Sequence, residues 1–83
     1  MVITLQVRQI VGTNIRTLRE KSPKSVEELA AQIGVHRTYW YLLEKGKVNF
    51  TIDKLEEVAR ALGVTVRDLV TERKRKEPAE AVG

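Results

Sequence analysis

The chain has no cysteine, one histidine, two prolines and four aromatic residues in 83 positions, and each shortage removes a class of function. Without cysteine there is no disulfide framework and no thiolate metal site. A lone His36 cannot assemble a zinc site or a nucleophile–base pair, and no glycine-rich loop cradles a phosphate. The expectation is therefore no metal, no cofactor, no small-molecule ligand and no enzymatic activity. No run approaches the roughly 18 apolar residues that a membrane span needs. The opening segment MVITLQVRQIVG also lacks the basic-then-apolar layout of a secretory signal. These absences predict a soluble, cytoplasmic protein with no membrane partner.

What is present is helical. Apolar residues make up 42% of the chain, enough for one small packed domain. Residues 2–8, VITLQVR, alternate as a strand would and also fit a helix, so residues 1–9 read as an extension whose structure stays open. From about residue 8 the steps of three and four among Val11, Ile15 and Leu18 favour a helix, which ends near Pro23. Ser25 and Glu28 form an S-x-x-E capping box ahead of a second helix with Leu29, Ala30 and Ile33 inward, closed by Gly34. A third helix runs from about residue 36 to Lys45, with Gly46 as its stop. Thr51 caps a fourth with Leu55, Val58, Ala59 and Leu62 inward, and Thr65 with Asp68 caps a fifth carrying Val66, Leu69 and Val70. The expected architecture is an all-α, compact five-helix domain over residues 10–72. Residues 73–83, RKRKEPAEAVG, read as a disordered charged tail. The net charge of +4 permits a polyanionic partner, but four of the fifteen cations lie in Arg73–Lys76.

The informative stretch is residues 26–46, VEELAAQIGVHRTYWYLLEKG. A helix-turn-helix needs a small residue where the second helix approaches the first, a glycine in the turn, and apolar pins on the second helix. Ala30, Gly34, and Val35 with Trp40 and Leu43 meet these needs at consistent spacing. On a helix Tyr39 and Tyr41 point about 200° apart, so the run YWY is not one stacking platform. Placing Trp40 and Leu43 inward leaves Thr38, Tyr41, Leu42 and Lys45 outward with Arg37 at the flank.

These segments, VGTNIRTLRE, SVEELAAQIGVHRTYWYLLEKGK and TIDKLEEVARALGV, resemble the lambda-repressor-like (XRE, Cro/repressor type) helix-turn-helix family of DNA-binding regulators. HRTYWYLLEKGKVNFTIDKLE also resembles the controller proteins of restriction–modification systems, with Phe50 where many relatives have proline. The resemblance implies a sequence-specific transcriptional regulator of double-stranded DNA whose third helix enters the major groove. It implies base contacts from Arg37, Thr38, Tyr41 and Leu42, and phosphate contacts from Ser25, Lys24, His36, Tyr39, Lys45, Lys47 and Asn49. It implies an Arg19–Glu44 ion pair between helices, and a homodimer built on Val66, Leu69 and Val70.

Three departures bear on that reading. Val26 stands where relatives often carry a phosphate-binding glutamine, Lys24 where an apolar residue is usual, and His36 where a Ser, Thr or Asp would cap the third helix. The missing glutamine and the apolar Tyr41 and Leu42 keep an alternative in view: an antitoxin or other protein-interaction module on the same scaffold. Single-strand or RNA binding by aromatic stacking is a further rival.

Overall fold

The computed structural model describes residues 3–72. Five helices follow in order: α1 (Ile3–Glu20), α2 (Val26–Gln32), α3 (Arg37–Glu44), α4 (Ile52–Leu62) and α5 (Val66–Val70), with no strand among the described residues. The all-α, five-helix expectation holds. The open question resolves to helix over residues 3–8, because α1 runs without interruption through residues 3–9 into the expected first helix. The expected disordered tail, residues 73–83, lies outside the described residues. No helix among the described residues is long and apolar enough to cross a membrane.

Local chemistry sets the helix starts. Ser25 Oγ accepts from Glu28 N, and Glu28 Oε1 accepts from Ser25 N, which completes the expected capping box. Thr51 accepts from Lys54 N at the start of α4, and Thr65 with Asp68 forms a second reciprocal box at α5. Between α2 and α3 the turn closes with Gly34 N donating to Ala31 O and Val35 N to Ala30 O, and Gly34 takes φ +76°, which a side chain would resist.

α1 is the element against which the others assemble, packing on α3, α4 and α5. Val11 and Ile15 from α1, Leu29 from α2, Trp40 and Leu43 from α3, Val58 from α4 and Leu69 from α5 are each at most 2% exposed. Two expected faces shift. In α2, Val26 is buried at 7% exposure, while Ile33 is only partly covered. In α4 the buried set is Val58, Ala59 and Ala61, with Leu55 and Leu62 at the margin. α4 packs on α2 as well as on α5, and Ala61 is buried at 2% exposure.

Two features of α1 went unread in the sequence. Asn14 is 3% exposed, and its Nδ2 donates to Leu69 O at 2.8 Å and Thr71 O at 2.9 Å. It thereby satisfies carbonyls that α5 cannot bond internally. Gly12 is buried where α1 meets the end of α3, and a Cβ there would lie 2.5 Å from Glu44 O and 2.8 Å from Leu43 O. These are backbone atoms of a helix and cannot step aside. Gly12→Ala should therefore lower stability by about 1–3 kcal/mol, even though alanine is the better helix former. Urea unfolding checks it; an unchanged or higher midpoint would mean that α1 and α3 can slide apart at no cost.

Candidate nucleic-acid interface

The surface of interest is the outer side of α3, and its geometry starts from what holds the inner side. Trp40 and Leu43 are 0% exposed, three residues apart on one helical face. Trp40 Nε1 donates to Glu44 Oε2 at 2.8 Å, one turn on. The same carboxylate receives Arg19 Nε at 2.8 Å on Oε2 and Arg19 Nη2 at 2.9 Å on Oε1, a two-pronged pair from α1. The expected Arg19–Glu44 ion pair is therefore present, with a third donor that sequence reasoning did not foresee. Only 6% of the Glu44 side chain is exposed, against 23% of Arg19. The hydrogen bond to Glu44 raises the guanidinium's pKa further above its usual value, and partial burial opposes this only in part.

With that side pinned, the residues expected to face a ligand lie outward. Arg37, Thr38 and Tyr41 are exposed and Leu42 is half-buried. Tyr41 retains 43% of its surface, which makes it one of the few large apolar side chains left open. Tyr39 is half-buried and packs against the core. Lys45 and Lys47 are exposed on the segment that leaves α3. Asn49 is exposed as well, and its Oδ1 accepts a hydrogen bond from Arg8 Nη2, which ties that segment back to α1.

His36 caps α3 in the place where a hydroxyl or carboxylate residue was expected to do better. Its Nδ1 accepts from Thr38 N at 3.1 Å and lies 3.0 Å from Thr38 Oγ1. A ring nitrogen that accepts a backbone N–H carries no proton, so the neutral ring holds its proton on Nε2.

Three of the expected site residues, Lys24, Ser25 and Leu69, are engaged within the chain itself. Lys24 Nζ is taken up inside the chain, donating to Gln32 Oε1 at 2.9 Å and Ala61 O at 3.2 Å. That ammonium serves the open carbonyl end of α4, a favourable place for a cation. Ser25 is committed to the capping box, and the first turn of α2 already carries two carboxylates, Glu27 and Glu28, where a phosphate was expected. Leu69 is 0% exposed, so it belongs to the core and has no surface to offer a second copy; Val66 is half-buried and Val70 44% exposed.

Arg37 is not a free cation. Its Nη1 lies 3.1 Å from Oε2 of Glu27, joining the first turn of α3 to the first turn of α2. The Glu27 carboxyl is held below its ordinary pKa, first by its own backbone N–H and then by Arg37. A depressed carboxylate pKa contributes stability that is complete above the unfolded-state value and is lost as the pH falls through the folded one. For so open a pair that contribution is small. Arg37→Ala should raise the Glu27 carboxyl pKa without restoring the ordinary value, because the backbone N–H remains. A side-chain carboxyl titration by NMR measures this; no shift at all would mean that the two side chains do not meet in solution.

This arrangement has clear relatives. Residues 10–72 match the model of a helix-turn-helix domain family. The control protein C.BamHI of Bacillus amyloliquefaciens is 38% identical over 69 residues, spanning 82% of this chain and 85% of that protein. A hypothetical transcription factor from Neisseria superposes with a TM-score of 0.72 at 35% identity, over 80% of this chain and 76% of its own. The restriction–modification controller protein C.AhdI from Aeromonas hydrophila gives a TM-score of 0.68 at 31% identity, covering 74% of this chain and 92% of that one. The chain belongs to the helix-turn-helix family of DNA-binding transcriptional regulators of the lambda-repressor-like type.

Proposed function

We propose that this chain is a sequence-specific regulator that binds double-stranded DNA by laying α3 in the major groove, and that it does so as a homodimer in the cytoplasm. The observation that carries the reading is the two-sidedness of α3. Trp40 and Leu43 are wholly buried, while Arg37, Thr38 and Tyr41 stand open on the same two turns. A helix anchored on one side and polar at its start is the geometry a major groove admits. Arg37 can fork onto guanine N7 and O6, Thr38 can bond a base edge or touch a thymine methyl, and Tyr41 and Leu42 extend the contact by one turn. Lys45, Lys47, the Nε2 side of His36 and, at the edge, Tyr39 and Asn49 are the phosphate-facing candidates that set the register.

Val26 lends support indirectly. Its burial accounts for the absence of the phosphate-binding glutamine as a packing requirement, and Glu27 beside it steadies the start of α3. Pairing of two copies would draw on the exposed Val70 and the half-buried Val66 of α5. Occupancy of DNA would then follow the protein's own concentration through pairing.

Site selection from random duplex DNA tests the function directly. Selected sites should be two-fold symmetric, with half-site centres about 34–36 Å apart. A single unpaired half-site would rule out the dimer reading, and recovery of no sequence preference would rule out sequence-specific regulation. Arg37→Ala should cost about 1–3 kcal/mol on the selected site and relax preference at one base pair. An equal loss on scrambled DNA would reduce Arg37 to a phosphate contact.

A further inference from the structure

Glu27 belongs to none of the base-reading positions, yet it is the one carboxylate among the described residues that forms an ion pair with the first residue of α3. Its backbone is fixed on both sides, by the Ser25–Glu28 capping box and by the burial of Val26. From there its side chain reaches across to the next helix and places Oε2 3.1 Å from Arg37 Nη1. The two side chains are 61% and 59% exposed, so the contact does little for the stability of the fold. Its effect has to be sought in what Arg37 does.

A guanidinium reads guanine with two parallel N–H groups on one edge. With Nη1 engaged by Glu27, the Nε–Nη2 edge of Arg37 carries no hydrogen bond from the described residues. A free arginine must lose the freedom of a long side chain to present that edge, and a partner at Nη1 removes part of the loss in advance. The same carboxylate also places a negative charge at the rim of a surface that meets phosphates. That repulsion is weakest while Arg37 neutralises the carboxylate and grows when Arg37 leaves it.

We propose that Glu27 is a specificity residue of the DNA-reading surface, positioning the Arg37 guanidinium for a guanine and penalising any complex in which Arg37 leaves it for a phosphate. On the correct site the pair is kept while the other edge reads the base. On a wrong site Arg37 turns to the backbone and leaves Glu27 unneutralised beside phosphates. The inference rests on the DNA-binding reading above.

The test uses the full chain, a duplex carrying the selected site and a scrambled duplex of equal length, with affinities measured over a range of salt. Glu27→Gln keeps the shape and removes the charge. It should tighten scrambled binding by about fivefold, the scale of one exposed ion pair, and change the selected site less, so that the specificity ratio falls. Glu27→Asp keeps the charge but is one methylene too short to hold Arg37; it should lower the ratio with no gain on scrambled DNA. In an Arg37→Ala background Glu27→Gln should shift both duplexes equally. If Glu27→Gln alone changes both affinities by one factor, or neither, the inference is overturned while the DNA-binding reading stands. If the wild-type chain binds no duplex, that reading fails and takes the inference with it.

Discussion

One carboxylate decides where α3 sits. Glu44 collects three donors, two from Arg19 and one from the Trp40 indole, with little of its side chain left to solvent. An acid at the C-terminal end of a helix is badly placed with respect to the helix dipole, and burial adds a desolvation cost. Arg19 offsets both, and being itself in the last turn of α1 it is favourably placed on its own helix. The arrangement tolerates no partial version. Removing one member of a buried pair strands the other, at about 3–5 kcal/mol, a large fraction of what a domain this small possesses. Because Trp40 is bonded to the same oxygen that Arg19 Nε holds, the depth of the indole in the core and the contact of α3 with α1 are one variable.

From that constraint the outer surface follows. α3 is fixed along its length by Trp40, Leu43 and Glu44 and at its start by the His36 cap, so the side chains on its open side keep their relative positions without help from any ligand. The first turn of α2 is equally settled, by Val26 in the core and by the Ser25–Glu28 box. The Glu27–Arg37 pair joins two rigid starts. This suits recognition: an interface ordered before binding loses less entropy when it binds. Lys24 shows the opposite assignment. Its ammonium, beside the expected site, is bonded to the carbonyl end of α4.

Much of this was legible in the sequence wherever a single local rule decides. The Ser25, Thr51 and Thr65 caps, the turn at Gly34 and the inward phase of Trp40 and Leu43 depend on residues within one or two turns of each other, and each is as expected. The Arg19–Glu44 pair came from family resemblance, since nothing local to either residue shows the other. What went unread depends on contacts between distant segments. Asn14 had a visible signal, a polar residue in the apolar phase of α1, but its partners lie more than 50 residues on. Gly12 looked like any helix glycine until α3 was laid against it. The partners of Lys24, expected at a phosphate, and of Glu27, not singled out at all, went unread because they come from other helices. Leu69 was expected at a pairing surface from the family resemblance, and only the assembled core shows that it is wholly buried within the chain.

Gly12 and Asn14 sit two residues apart on α1, one against the end of α3 and the other holding the end of α5. The proposed reading surface and the proposed pairing end are thus referenced to the same half-turn of one helix, with no loop between them. In a pair of such chains, the separation of the two reading helices would be a property of α1 itself. It would behave as a fixed gauge, and binding sites spaced differently would have to be met by deforming the DNA rather than the protein.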